Sequence, residues 1–270
     1  MSPAIKPREE TETELDYTDK SVSSFREMPH IFQMPQLTRL TLSHNKISQI
    51  PPQIGDLAFL ESLNLWNNHL EELPTSMSAL PKLRILNLGV NRLSVLPRGF
   101  GSFPALEVLD LTYNNLNERS LPGNFFMLKS LRALYLGDND FEFLPVDIRE
   151  LVNLQILSLR DNDLVTLPKE LGELQRLREL HIQGNRLALM PPEIGQLELV
   201  GPKQVFRLDN NPWVAPILEQ LHLGAAHVLD FLRTDTYKYL YNRQDAVHAP
   251  PPPRRNKEKK LSRAHAKPGC

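Results

Sequence analysis

Two short acidic motifs are the first candidates for chemistry in this sequence. Asp138-Asn139-Asp140 and Asp161-Asn162-Asp163 each place two carboxylates beside a carboxamide, as the start of a calcium-binding loop does. An EF-hand loop also needs a glycine at its sixth position and a glutamate at its twelfth, and Arg149 occupies the twelfth position of the first motif. We therefore interpret both motifs as parts of a structural frame rather than as calcium sites.

The other reactive residue types form no recognisable site either. His222 and His227 lie near the carboxyl end without a carboxylate or cysteine at ligand spacing, so we expect ordinary core or surface histidines. Cys270 is the single cysteine, so we expect no disulfide framework, no thiolate metal site and no prenylation box. Neither a phosphate-binding loop nor a nucleophile elbow occurs. The sequence predicts a protein that is not an enzyme and has no cofactor and no metal.

Charge is distributed unevenly along the chain. The segment 242–270 has eight Lys or Arg against two acidic residues. Because the whole chain has a formal net charge of -1, the remaining residues together carry an excess of negative charge. An acidic body argues against binding a nucleic-acid backbone. The basic tail is open to three interpretations, namely a nuclear signal, a contact with anionic lipid or a solvated tether, of which we favour the tether.

The compartment follows from what the sequence lacks. The first residues are polar and acidic, without the apolar segment of a secretory signal, and no stretch is long and apolar enough to span a membrane. Together with the absence of a cysteine framework, these features predict a cytoplasmic protein without membrane insertion.

The acidic motifs described above belong to an internal repeat that runs along most of the chain. The frame L-x-x-L-x-L-x-x-N-x-L recurs with a period of about 23 residues, the range of leucine-rich repeats, and its asparagines are Asn45, Asn68, Asn91, Asn114, Asn139, Asn162, Asn185 and Asn211. Alternation in L-x-L predicts short strands whose leucines point inward, and stacked strands then form one parallel sheet. The predicted fold class is therefore an α/β repeat, a solenoid with a concave parallel sheet, an irregular or 3-10 convex side and a helical carboxyl-terminal cap.

Breaks in the repeat suggest the domain organisation. We predict a disordered amino terminus (1–13), a capping repeat (14–36), leucine-rich repeats (37–213), a helical cap (214–241) and a disordered Pro-rich and basic tail (242–270). Extra residues after Asn114 and Asn185 lengthen two repeats. Each insertion could be a tolerated bulge or a partner-contact loop, and we favour the bulge.

The concave face can be read from the positions between the inward leucines. We expect Trp66, Tyr113 and Tyr135 to be exposed aromatics beside charged residues, a combination typical of protein interfaces. The candidate partner-binding residues are Trp66, Asn87, Asp110, Tyr113, Tyr135, Asp138, Arg160, Asp161 and His181. Because acidic side chains outnumber Arg160 here, a basic or mixed-charge protein partner is expected.

Several segments are more specific than the repeat frame. They are LPRGFGSFPALEVLDLTYNNL, LPGNFF, LQILSLRDNDL, ELHIQGNRL, KQVFRLDNNPW and TYKYLYNR. With them the chain resembles the Ras suppressor family of leucine-rich-repeat adaptors over residues 14 to about 241. The resemblance is weakest at the polar termini and around Trp66.

The resemblance implies a non-enzymatic adaptor at integrin adhesions. Its concave face would bind the last LIM domain of PINCH, join the integrin-linked kinase–PINCH–parvin complex as a monomer and dampen Ras and stress-kinase signalling. Any zinc would then belong to the partner. The alternative is a scaffold that regulates a small GTPase or a kinase directly, as other Ras-associated repeat scaffolds do.

Overall fold

A computed structural model describes residues 13–245. Within this range the chain forms a continuous stack of short parallel strands. The strands pair in sequence order into one sheet. They are β1 Glu14–Asp16, β2 Arg39–Thr41, β3 Ser62–Asn64, β4 Ile85–Asn87, β5 Val108–Asp110, β6 Ala133–Tyr135, β7 Ile156–Ser158, β8 Glu179–His181 and β9 Val205–Arg207. The predicted solenoid with a parallel sheet is confirmed, and β1 is the first strand of this sheet.

The register of the strands places their central residues in one inward row. Leu15 pairs with Leu40, Leu40 pairs with Leu63, and the row continues to Phe206. The leucines of β2 to β8 in this row are fully buried. Since burying one leucine stabilises a fold by about 1.5–3 kcal/mol, stacking of repeats supplies the core that one repeat cannot form alone.

The repeated asparagines end the strands by bonding the backbone of the turns. Asn139 Nδ2 donates to the carbonyl oxygens of Leu111, Leu136 and Gly137, and its Oδ1 accepts from Leu116 N at 3.0 Å. The same pattern recurs from Asn45 to Asn211. The asparagine motifs are thus structural, because each side chain satisfies buried groups in its own repeat and in the preceding one.

The residue before each asparagine adopts a left-handed backbone conformation. The φ angle lies between 53° and 74° at His44, Asn67, Val90, Tyr113, Asp138, Asp161, Gly184 and Asn210. This conformation costs little for glycine or asparagine, but it is unusual for a β-branched residue such as Val90. The turn is therefore imposed by the repeat, even where the local residue disfavours it.

Short 3-10 turns form the convex side, as the sequence predicts. They are Phe25–Glu27, Pro29–Gln33, Pro52–Asp56, Thr75–Ala79, Phe100–Ser102, Glu118–Ser120, Phe125–Met127, Val146–Glu150, Lys169–Glu173 and Pro192–Gln196. Prolines such as Pro74 and Pro168 directly precede these turns with φ near -72°, where their missing N–H is not needed.

The first insertion is part of the wall of the solenoid. Asn117 caps the turn Glu118–Ser120, and the hydroxyl of Ser120 donates to the carbonyl oxygen of Ser94 at 2.6 Å. Ser120 is buried, and its own carbonyl accepts from Leu96 N. These contacts favour the interpretation of this insertion as a structural bulge.

Three helices cover the last repeat, α1 Ala215–Leu223, α2 Ala225–Arg233 and α3 Asp235–Asp245. Tyr237 in α3 is fully buried; its hydroxyl donates to Met190 O at 2.6 Å and accepts from Met190 N. Trp213 Nε1 donates to Leu208 O, and Arg233 Nε donates to Gly195 O. These bonds fasten the cap to the last repeats, so the predicted helical cap is confirmed.

The boundary between cap and tail differs from the expectation. The predicted limit after residue 241 falls inside α3, which continues to Asp245. The expected disorder of 1–13 and of 242–270 concerns residues that are almost all outside the described range 13–245. In that range no helix is long and apolar enough to cross a lipid bilayer.

The concave face as candidate binding site

The outward side chains of the sheet form three rows that cross the strands. The first row holds the first residue of each strand, and the second row holds the third. The predicted residues Asn87, Asp110, Tyr135 and His181 all lie in the second row. Trp66 and Arg160 lie in the third row, which directly follows the strands and is joined by backbone hydrogen bonds. The remaining predicted residues, Tyr113, Asp138 and Asp161, occupy the left-handed turn at the rim.

Trp66 lies flat across the neighbouring repeat. A Cβ added to Gly89 would come within 2.4 Å of the Trp66 ring, and within 3.3 Å of an Asp110 carboxylate oxygen. Gly89 therefore provides the space that the indole occupies. Trp66 is partly exposed as a result, as are the other two predicted aromatics, Tyr113 and Tyr135.

The side chain of Arg160 likewise occupies space next to a glycine of the preceding repeat. Its side chain covers Gly137, whose hypothetical Cβ would lie 2.9 Å from Arg160 Cγ. From there its guanidinium reaches Asp138 at 2.9 Å and Asp161 at 3.4 Å. Asp138 is buried, with a relative exposure of 6%, so the cation compensates a carboxylate that would be costly to bury alone. This ion pair makes Arg160 a structural residue as well as a surface residue.

Asn87 and Asp110 also have a local structural role. Each side chain accepts a hydrogen bond from the backbone N–H two residues later, Gly89 N for Asn87 and Thr112 N for Asp110. Such bonds stabilise the turn that follows the strand. One oxygen of each side chain is thus engaged, while both residues remain partly exposed on the concave face.

Tyr135 lies near the centre of the second row. It is partly exposed, and burial together with the nearby carboxylates of Glu179 and Asp110 raises the pKa of its hydroxyl. His181, two strands further on, lies 3.5 Å from Glu179 through Nε2. Two carboxylates thus lie close enough to Tyr135 to disfavour ionisation of its hydroxyl.

An apolar first row was not among the predicted binding residues. It runs along the sheet as Ile85, Val108, Ala133 and Ile156. Ile85 is the most open of them, with 45% of its surface exposed. The signal was present in the sequence, because all four occupy outward positions between leucines where polar residues are usual. They are neither aromatic nor charged, unlike most of the predicted binding residues.

A ladder of charges borders the apolar row on its outer side. Arg84 binds Glu107 through two nitrogens at 2.9 and 3.2 Å, and Arg132 approaches the same carboxylate at 3.8 Å. These arginines hold the pKa of Glu107 below its usual value, with the Arg84 hydrogen bond as the main cause. The concave face therefore has a charged border, an apolar row and a polar row with aromatic anchors.

The carboxylates and histidines that the sequence offered as metal ligands are far from forming a shared site. Asp138 pairs with Arg160, and Asp163 is largely buried behind the rim. His222 and His227 are exposed on α1 and α2. Among residues 13–245 no three His, Cys, Asp or Glu side chains form a group that could hold a metal ion.

Comparisons with known proteins agree with this architecture. Leucine-rich-repeat family models match residues 35–79, 58–116 and 92–222. Ras suppressor protein 1 of Homo sapiens is 66% identical over 257 residues, which cover 95% of this chain and 93% of the human protein. The Bos taurus and Mus musculus proteins of the same name are each 67% identical over the same length.

Solved structures are similar at the level of the fold. A leucine-rich-repeat protein of Leptospira interrogans superposes with a TM-score of 0.67 and 32% identity, over 73% of this chain and 54% of that protein. The ectodomain of a plant membrane receptor kinase from Arabidopsis thaliana, solved in complex with Casparian strip integrity factor 2, gives a TM-score of 0.59 and 30% identity. That match covers 68% of this chain and 22% of the receptor.

Proposed function

The chain belongs to the Ras suppressor family of leucine-rich-repeat proteins, and on this premise we propose that its concave face binds the last LIM domain of PINCH. The repeat architecture is that of a protein-interaction scaffold. In the proposed role, this scaffold joins the integrin-linked kinase–PINCH–parvin complex at cell–matrix adhesions and dampens Ras and stress-kinase signalling. The zinc ions of the complex are then held by the partner.

The observation that carries the proposal is the exposed apolar row of the concave face. Ile85 on β4 is 45% exposed. Val108 beside it is partly exposed, as is Ile156 further along the row, and the buried Ala133 lies between those two. Contiguous apolar surface with a polar border is characteristic of interaction sites. Tyr135 in the second row and Trp66 in the third row lie on the same face, and such aromatic side chains supply much of the binding energy at protein interfaces.

The charge of the same face favours a basic or mixed-charge partner. Glu179 and Asp110 lie near Tyr135, and Arg160 already interacts with Asp138 and Asp161. A partner that brings lysine or arginine to this region gains complementary contacts, which speed association and select against acidic proteins.

The direct test is a binding measurement with one matched pair of variants. Ile85→Glu places a charge in the apolar row, whereas Val152→Glu changes a residue that is 54% exposed outside the sheet. Calorimetry with a purified, zinc-loaded PINCH LIM domain should show at least about a tenfold higher Kd for Ile85→Glu, a loss of roughly 1.4 kcal/mol. Val152→Glu should bind as the wild type does. Equal binding by both variants would contradict the use of this face.

Tyr135→Ala is the better second variant. Replacing Arg160 by Glu would put a carboxylate against the buried Asp138 and weaken the fold as well as the surface. Tyr135 instead has a partly exposed ring, so its truncation tests binding with a smaller effect on stability. Unfolding midpoints of all variants separate the two effects.

Direct regulation of a small GTPase or a kinase is the second candidate, suggested by the name Ras suppressor protein 1 of the relatives. A purified GTPase loaded with GDP or with a GTP analogue distinguishes the two. Binding that depends on the nucleotide, with no affinity for the LIM domain, would favour this alternative.

A further inference from the structure

The residue directly before each strand belongs to the charged border of the concave face. From β3 to β8 these residues are Glu61, Arg84, Glu107, Arg132, Gln155 and Arg178. Each of the last five donates its backbone N–H to the carbonyl oxygen of the one before it at 2.8 Å, so they are neighbours along the sheet. Glutamate and arginine alternate in this row, except that Gln155 occupies a position where the alternation would place a glutamate.

Glu107 shows how this border holds a carboxylate. Its two oxygens accept hydrogen bonds from Arg84 at 2.9 and 3.2 Å, and Arg132 approaches from the next strand at 3.8 Å. The Arg84 hydrogen bond and, as a smaller contribution, the charge of Arg132 hold the pKa of Glu107 below its usual value. One carboxylate therefore interacts with two arginines whose strands are two spacings apart, about 10 Å.

The surface over Gln155, between Arg132 and Arg178, is where a carboxylate would continue this pattern, and we call it the border gap. Gln155 is exposed and uncharged. Within residues 13–245, the one ion pair of Arg132 is its 3.8 Å contact with Glu107, and the Arg132 side chain is 60% exposed. Because Arg84 already bonds both oxygens of Glu107, Arg132 retains N–H donors for another acceptor.

Arg178, on the other side of the border gap, has an exposed partner. Its Nη1 lies 3.3 Å from Glu198 Oε2, and the side chain of Glu198 is 78% exposed. Solvent-exposed pairs of this kind are weak, and a guanidinium has five N–H donors. Glu179 follows Arg178 in the chain, but its carboxylate approaches His181 Nε2 at 3.5 Å in the second row. Arg178 can therefore bind a second carboxylate besides Glu198.

Apolar residues of the first row lie directly beside the border gap. Ala133 and Ile156 follow Arg132 and Gln155 in the chain and pair with each other across β6 and β7. Ala133 is buried and Ile156 is partly exposed, so a partner that covers Ile156 also excludes water from the neighbouring arginines. Ion pairs become stronger where water is excluded, and charges at such a position select between partners.

We propose that the border gap binds an aspartate or glutamate side chain of the partner protein, with Arg132 and Arg178 as charged donors and the carboxamide of Gln155 as a third donor. Hydrogen bonds from arginine to a carboxylate are among the stronger ones in proteins. The inference rests on the proposed function, because it assigns one contact of the partner on the same concave face. The partner then combines an acidic side chain for the border gap with basic side chains for the region around Tyr135.

The first test measures whether the border gap attracts a carboxylate when no partner is present. Gln155→Glu introduces the group there, and Gln53→Glu introduces the same group on the exposed turn Pro52–Asp56. Titration followed by carbon-13 NMR should give a lower pKa for the carboxyl introduced at position 155 than for that at position 53. Adding Arg132→Gln should reduce the difference. An equal or higher pKa at position 155 overturns the proposal.

The second test measures binding of the purified, zinc-loaded PINCH LIM domain by calorimetry. Gln155→Glu should raise the Kd at least about threefold, because the introduced carboxylate fills the border gap and repels that of the partner. Gln53→Glu should bind as the wild type does. Equal Kd values for the wild type and Gln155→Glu overturn the proposal.

Single replacements of each Asp and Glu of the LIM domain by Asn and Gln identify the docking residue. One replacement should weaken binding to the wild type and have a much smaller effect on binding to Gln155→Glu. If every replacement affects both chains equally, general repulsion explains the loss and the proposal is overturned. A LIM domain that does not bind the wild type contradicts the proposed function instead, and the pKa at position 155 then decides alone whether the border gap binds carboxylates.

Discussion

Replacing Gly89 by alanine tests the packing of Trp66 on the concave face. The new Cβ would lie 2.2 Å from the closest Trp66 ring atom, so the indole must move off the neighbouring repeat. The φ angle of Gly89 is not positive, so alanine is compatible with its backbone. The ring of Trp66 is the main obstacle to this substitution.

The expected magnitude combines two opposing effects. Overpacking at a well-packed site costs about 1–3 kcal/mol, and a glycine-to-alanine change at a compatible position stabilises by about 0.4–1 kcal/mol. We expect Gly89→Ala to reduce the free energy of unfolding by about 1 kcal/mol in the wild type, within the range of about 0–2.6 kcal/mol that the two effects allow. In a Trp66→Ala background the same change should be stabilising, because the obstacle is gone.

A double-mutant cycle provides the measurement. Urea unfolding of wild type, both single variants and the double variant, followed by circular dichroism, gives the coupling energy, which we expect at about 1–3 kcal/mol. Circular dichroism avoids the loss of signal that removal of Trp66 would cause in fluorescence. A coupling energy near zero would refute the proposed packing of Trp66 on Gly89.

Three further predictions concern the turns and the charged border. Val90→Asn should raise the free energy of unfolding by about 1 kcal/mol, because asparagine tolerates the φ of 54° at this position better than valine does. Gly184→Ala, at the same position of another turn, should lower the free energy of unfolding. Urea midpoints that move in the opposite directions would contradict this explanation. Asn139→Ala should cost at least about 3 kcal/mol through its buried backbone partners, whereas the exposed Asn115→Ala should stay within about 0.5 kcal/mol. Glu107→Gln should lose about 0.2–1 kcal/mol at pH 7. Because the folded-state pKa of Glu107 is lowered, this difference should disappear as the pH falls through that pKa in urea titrations, and a difference that persists at low pH would refute the ion-pair explanation.

The repeat frame made most of the fold predictable from the sequence. Leucines at fixed spacing must be buried together, and the only arrangement that buries all of them stacks one repeat on the next. That arrangement sets the strand register, so the inward row through Leu63 and Leu134 and the outward positions of Asn87 and Tyr135 follow directly. The helical carboxyl-terminal cap was also predicted from the sequence and is present as α1 to α3.

Contacts between repeats were decided only by the tertiary structure. The sequence does not indicate that Trp66 lies over Gly89, or that Arg160 covers Gly137 and pairs with Asp138. These residues are 22 or 23 positions apart and meet because consecutive turns stack about 4.8 Å apart. Their side-chain conformations depend on the size of the facing residue, which the repeat frame leaves variable. The sequence by itself therefore determined which residues face outward, whereas the stacking of the repeats decided which of them remain available to a partner.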